Sequence, residues 1–198
     1  MAQPPVYPQF PPEPQAVPPK KSNTVLWVVL ILGVGGLCFV IIVMAAILFP
    51  VFSQARLSAQ RTACLSKVKM QSTALLMYAA ENDDHFPPAK SWVDKTADYA
   101  SGDSAFQCPI VVKDSGEGAF GFGFNDALSG LAMTKVKEED RTVAVFESKA
   151  TTRNVAGGES AVVVPGRHGG STKGNNFGYV DGHAKYLADG SASHLWKP

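Results

Sequence analysis

Charge is scarce in this chain. Only 18% of its 198 residues are Asp, Glu, Lys or Arg, and 18 basic against 17 acidic side chains leave a formal net charge of +1. That balance excludes the basic footprint of a nucleic-acid binder and gives no field to draw in an anionic substrate. Histidine occurs four times and cysteine three times. Gly-x-Ser-x-Gly, His-Glu-x-x-His, Cys-x-x-Cys and the phosphate-binding loop pattern are all missing, which removes the common catalytic signatures. The expectation is a protein that is not an enzyme and needs no cofactor. The length also leaves no room for two large domains.

Charge is absent altogether from residues 25–49, where 22 of 25 positions are apolar and the other three are glycine. As a helix this run would be roughly 37 Å long, against a hydrocarbon core of about 30 Å, so it spans a bilayer with tilt to spare. A cleavable signal peptide has a shorter apolar region and a basic start. Here residues 1–19 carry no charge except Glu13, so an uncleaved anchor is the expectation. Lys20 and Lys21 precede the span, while Arg56, Arg61, Lys67 and Lys69 follow it. That count by itself puts the C-terminal part in the cytoplasm, but long domains translocate largely regardless of charge. The three segments expected are a proline-rich tail over 1–22, a transmembrane helix over 23–50 and an α+β domain over 51–198.

The tail holds 8 of the 14 prolines, with Pro-x-x-Pro spacings at Pro5/Pro8, Pro8/Pro11 and Pro11/Pro14. Fixed φ and missing donors make it a polyproline-like or disordered extension that builds no core, expected as a spacer in preference to a docking site for a partner. Pro50 predicts a kink or break after the span. Beyond it Leu65, Val68, Leu75, Leu76 and Ala79 recur at helical spacing, predicting an amphipathic helix over about 53–82 that stops at Asp83-Asp84-His85-Phe86-Pro87-Pro88. Further on, residues 91–99 read as a short helix, 142–147 and 160–164 as strands, and Gly121-Phe122-Gly123-Phe124-Asn125 as a loop or edge strand. Residues 176–187 read as a hairpin on a two-residue Asp181-Gly182 turn. That register sets Phe177, Tyr179, Ala184 and Tyr186 on one face, laid against the Leu65/Val68/Leu75 stripe, with His183 and Lys185 on the other. Cys38 lies in the span, leaving Cys64 and Cys108 either as one disulfide, worth roughly 3–4 kcal/mol in the chain-entropy account, or as two unrelated buried thiols.

Phe49-Pro50-Val51-Phe52, Cys64-Leu65-Ser66-Lys67, Asp83-Asp84-His85-Phe86-Pro87, Phe106-Gln107-Cys108-Pro109, Arg167-His168-Gly169-Gly170 and Tyr179-Val180-Asp181-Gly182-His183 stand in order along the chain. This series resembles bacterial type IV pilin-like proteins, more narrowly the group with a C-terminal His-to-Asp-Gly processing-associated domain. The resemblance implies an α+β, pilin-like fold, in which a long N-terminal transmembrane-plus-amphipathic helix packs on an antiparallel sheet outside the bacterial inner membrane. It also implies a Cys64–Cys108 disulfide, His168, Asp181, Gly182 and His183 as motif and turn residues, and the bilayer and other pilin-like subunits as partners of the helix. The stretch Lys21-Ser22-Asn23-Thr24-Val25-Leu26 lacks both the glycine cleavage site and the acidic residue of true prepilins, so a permanently anchored, unprocessed relative is expected. Twelve residues separate His168 from Asp181, more than in the family pattern, and residues 169–175 would absorb the difference as a loop.

His168, Asp181 and His183, with His85 or His194, form a transition-metal set on paper. The turn-forming role of Asp181 and the neighbouring Lys185 argue against it. Calcium on Asn175, Asn176 and Asp181 is the better metal candidate, since an irregular loop offers oxygen ligands. The favoured reading needs no metal: Asp181-Gly182 makes a turn, and His168 caps or fills a pocket. Asn82-Asp83-Asp84 likewise ends a helix without needing a ligand.

Overall fold

The computed structural model describes residues 23–170, 172–191 and 196–198. The proline-rich stretch 1–22 and His194 lie outside them. The fold is α+β. It comprises helices α1 (Thr24–Glu81), α2 (Trp92–Thr96) and α3 (Pro109–Ser115), and strands β1 (Phe122–Asn125), β2 (Val143–Glu147), β3 (Ala156–Gly157), β4 (Gly174–Tyr179) and β5 (Ala184–Ala188). Contacts divide the chain into two units, Met1–Leu48 and Phe49–Pro198.

In the first unit α1 is apolar all round. Its large hydrophobic side chains from Val25 to Leu48 are 41–76% exposed and none is buried, and it is long and apolar enough to cross a membrane. Pro50 lies inside α1 and does not end it. A proline removes only its own N–H bond, and flanking helix-compatible residues carry the ladder past it. The helix ends where the sequence puts the stop. Asp83 and Asp84 adopt φ of 52° and 56°, the Asp84 N–H donates to Ala79 O at 2.9 Å, and Asn82 Nδ2 donates to Tyr78 O at 2.8 Å, so the last carbonyls find donors.

The second unit is built on the buried stripe of α1: Cys64, Val68, Gln71, Ser72, Ala74, Leu75 and Ala79. Leu65 and Leu76, expected in that stripe, are only half-buried at its margin. The stripe packs with Phe86, Trp92, Phe106, Phe122, Phe124, Leu128, Val145 and Val180 in the main core. Trp92 anchors one end, stacked on Phe124 at 5.7 Å and edge-on to Phe106 at 5.2 Å, its indole N–H donating to Val155 O at 2.9 Å. Residues 91–99 are helical as expected, as α2 with 3-10 turns on either side.

The sheet has the order β3-β1-β2-β4-β5. It is mixed, not wholly antiparallel, because β1 and β3 run parallel while every other pair is antiparallel. The 121–125 segment, expected as a loop or edge strand, is largely β1, an interior strand buried at every position. Residues 160–164 are not a strand. A 3-10 turn (Glu159–Ala161) and a single bridge from Val162 to Ser148 take their place, since Gly157-Gly158 before and Pro165 after leave little extended chain to pair.

The hairpin forms one residue out of the expected register. Gly178 pairs with Ala184, Phe177 with Lys185 and Asn176 with Tyr186. Tyr179 N–H donates to His183 O at 2.9 Å and Gly182 N–H to Tyr179 O at 3.0 Å, closing a three-residue loop in which Gly182 takes φ 87°. Such a loop needs one left-handed residue where the two-residue turn needs two. A one-residue slip exchanges the faces. Asn176, Gly178, Ala184 and Tyr186 therefore face α1, while Phe177 and Tyr179 turn to a second cluster with Val143, Phe146, Val162 and Leu187, against which Trp196 packs. A bulge in β2 between Val143 and Val145 lets Ala144 and Val145, though consecutive, both serve the main core.

Candidate functional site

The most chemically loaded place in the second unit is a polar cluster under α1. Glu147 ends β2 and His168 precedes the loop before β4, and both side chains are 0% exposed. His168 Nε2 lies 2.7 Å from Glu147 Oε1. Asn176 adds two donors to the same carboxylate, Nδ2 to Oε1 at 3.1 Å and its backbone N–H to Oε2 at 3.2 Å. His168 is held in place by its backbone, which exchanges both hydrogen bonds with Gly174 at 3.1 and 2.9 Å. Gly166 and Gly174 approach so closely there that a Cβ on Gly166 would meet Gly174 backbone at 2.3 Å.

The Arg167 guanidinium donates to Gly121 O at 2.7 Å and to Ser148 O. Burial pushes its pKa down and the Glu147 charge pushes it back up. Cys64 on α1 and Cys108, the residue before α3, form a disulfide with Cα atoms 5.5 Å apart. Both are fully buried, and their sulfurs lie close to Glu147 and His168. His168 Nδ1 and Asn176 Oδ1 are buried without a hydrogen-bond partner.

The residues singled out in the sequence fall into two groups. His168 fills a pocket, as expected, and its partner is Glu147. Asp181 and His183 sit together on the hairpin loop, Asp181 Oδ1 accepting from His183 N–H at 3.0 Å and lying 2.6 Å from Nδ1, with the His183 ring stacked on Tyr179 at 4.2 Å. Burial, then the Asp181 charge, raises the Tyr179 pKa. His168 does not share that loop, and His85 lies elsewhere, bridged to Ala132. The proposed transition-metal set is therefore not assembled among the described residues.

The calcium candidates are also separated. Asn175 and Asn176 are consecutive in β4 and point to opposite faces. Asn175 is engaged by Val163 O and by the Arg167 N–H, Asn176 by Glu147, and Asp181 is exposed in the turn. The loop after His168 lines a groove with α1, formed by Gln54, Ser58, Arg61, Gly169, Thr172 and Tyr186, where the Arg61 guanidinium stands 4.8 Å over the Tyr186 ring. Sequence reasoning missed Glu147. An acid closing the apolar run Val143-Ala144-Val145-Phe146 was the available signal, because a carboxylate at the end of a buried strand needs a partner.

Full burial of Glu147 and His168 denies a substrate access, so the pair acts as a polar staple between β2, β4 and the 168 loop. Comparison with known protein families, characterised proteins and solved structures finds no match to this chain.

Proposed function

We propose that this protein is a single-pass, membrane-anchored pilin-like subunit with a structural or accessory role in a type IV pilus, a type II secretion-like system or another cell-surface assembly. Its second unit stands on the extracytoplasmic side of a bacterial inner membrane, and prepilin peptidase leaves it uncut. The observation that carries the reading is α1 itself. Its residues to Leu48 are apolar with no buried position, and from Cys64 to Ala79 the same helix supplies the stripe of a disulfide-bonded α+β core. An apolar helix exposed on all sides is stable only in lipid or against other helices. A buried disulfide persists outside the cytosol and outweighs the Lys/Arg asymmetry as a guide to sidedness. Gly33, Gly35 and Gly36 leave open space beside the helix, where a neighbouring helix can approach closely.

The test is oxidative crosslinking through Cys38, the free and exposed cysteine of α1, in native membranes. The expected result is a crosslinked species lost in Cys38→Ser; chains that remain monomeric throughout contradict subunit assembly. The groove beside Arg61 and Gly169 supports a second reading, a membrane-tethered binding module for a polar ligand such as a glycan. It gains ground only if crosslinking fails and a ligand protects that groove.

A further inference from the structure

Four buried side chains drawn from four stretches of sequence converge under α1: Cys64, Cys108, Glu147 and His168. Two sulfurs, one carboxylate oxygen and one imidazole nitrogen lie within 4.8 Å of one another. While the sulfurs are bonded to each other they have no thiolate to offer. We propose that in its dithiol state this cluster is a binding site for a thiophilic divalent cation, zinc(II), and that metal and disulfide are alternative staples for the same pair of elements.

The donor set is of the kind zinc selects, two thiolates with an imidazole and a carboxylate. At zinc–sulfur distances of about 2.3 Å and zinc–nitrogen or zinc–oxygen distances of about 2.0 Å, a tetrahedral site needs donor separations of roughly 3.3–3.8 Å. The four donors already stand inside a slightly wider envelope, so opening the S–S bond and shifting side chains by about 1 Å completes the tetrahedron. His168 Nε2 and Glu147 Oε1 already stand 2.7 Å apart, so an ion that takes the place of the proton between them is ligated by both once they part by less than about 1 Å.

The chain is synthesised with both thiols reduced, so the site precedes the disulfide and needs no reductant in the cell. Zinc binding releases one proton from each thiol. Later oxidation of the two zinc-bound thiolates passes two electrons to a disulfide-type thiol oxidant, which takes its two protons from solvent as it is reduced to a dithiol; the sulfurs join and the metal is expelled.

The test uses the full chain in detergent micelles, compared in two states. In one the disulfide is intact; in the other it has been cleaved by a water-soluble phosphine, which leaves as its oxide, and the excess is removed without air. Cobalt(II) titrated into the reduced chain should bind one ion per chain, with thiolate-to-metal charge-transfer absorption that zinc abolishes. The oxidised chain and the Cys64→Ser/Cys108→Ser double variant should show no such absorption. Zinc should raise the melting temperature of the reduced chain alone. His168→Gln and Glu147→Gln should each weaken binding by at least the about 10–100-fold that loss of an outer-shell partner costs. Absence of the charge-transfer band in the reduced wild-type chain overturns the proposal, and this comparison requires no variant to fold. Equal affinity in a folded His168→Gln chain overturns it as well.

Discussion

Gly178 is the residue on which the closeness of α1 to the sheet depends, and Gly178→Ala measures it. A Cβ there would lie 2.1 Å from Ser72 Oγ and 2.9 Å from Val68 Cγ1, with Ser72 Cβ at 3.4 Å. Two of these are far inside contact distance, and both belong to short side chains whose positions the helix backbone sets. The strand must retreat by about 1 Å or more, and overpacking of this kind costs about 1–3 kcal/mol. We expect the upper end, about 3 kcal/mol, which for a unit of this size lowers the melting temperature by about 6–12 °C. The assay is thermal unfolding of the full chain in detergent, followed by near-ultraviolet circular dichroism of the core aromatics. Ser72→Ala isolates the cause. Ser72 Oγ is buried without a hydrogen-bond partner, so its removal is cheap, and the double variant should recover at least about 1 kcal/mol of the loss as a coupling energy. A Gly178→Ala chain within about 0.5 kcal/mol of wild type, or an undiminished loss in the Ser72→Ala background, would refute the reasoning.

Glu147→Ala strips the acceptor from His168 Nε2 and from two Asn176 donors at once, inside a fully buried cluster. Three buried donors left without an acceptor imply a loss of about 3–5 kcal/mol in denaturant unfolding, with Glu147→Gln milder because it keeps the shape; a loss below about 1 kcal/mol in Glu147→Ala would mean the cluster is not a staple. Asp94 predicts a pH dependence. The hydrogen bonds from Arg153, then from Asn154, hold its carboxyl below the usual value of 3.8. Its contribution is therefore complete above that value and is lost as the pH falls through the lower folded-state pKa. Asp94→Asn should lower stability near neutrality and leave it little changed at the acid end, so that the acid limb of the stability curve flattens, whereas an unaltered acid limb would contradict the assignment.

How far the sequence could be read depended on the kind of signal. The apolar run and the Val68/Leu75/Ala79 spacing located α1 because helical periodicity over many turns is redundant, and two aspartates in left-handed conformation ended it as their chemistry suggests. The α+β class and strand β2 were legible for similar reasons. The hairpin was found but its register was not, and the cause lies in Asn176, Gly178 and Ala184. Asn176 and Gly178 alternate with Phe177 and Tyr179, Ala184 stands opposite Gly178, and a helix packed this closely takes the small face, sending the aromatics to a second cluster. Asp181-Gly182 pointed to a two-residue turn, yet only Gly182 needed positive φ. Of the cluster, His168 was visible as a pocket filler, while its partner lay 21 residues away on a strand whose pairing no local pattern reveals. The adjacent asparagines that looked like loop ligands are strand residues, which strand alternation alone keeps from sharing a cation.

In the proposed function α1 is rooted in a bilayer and the disulfide-bonded unit stands outside it. Protease added to intact spheroplasts tests this most directly, read with an antibody to residues of the second unit. Digestion of that unit from the outside, without lysis, is the predicted result. A unit protected until the membrane is broken would place it in the cytoplasm, in agreement with the Lys/Arg count and against the pilin-like reading.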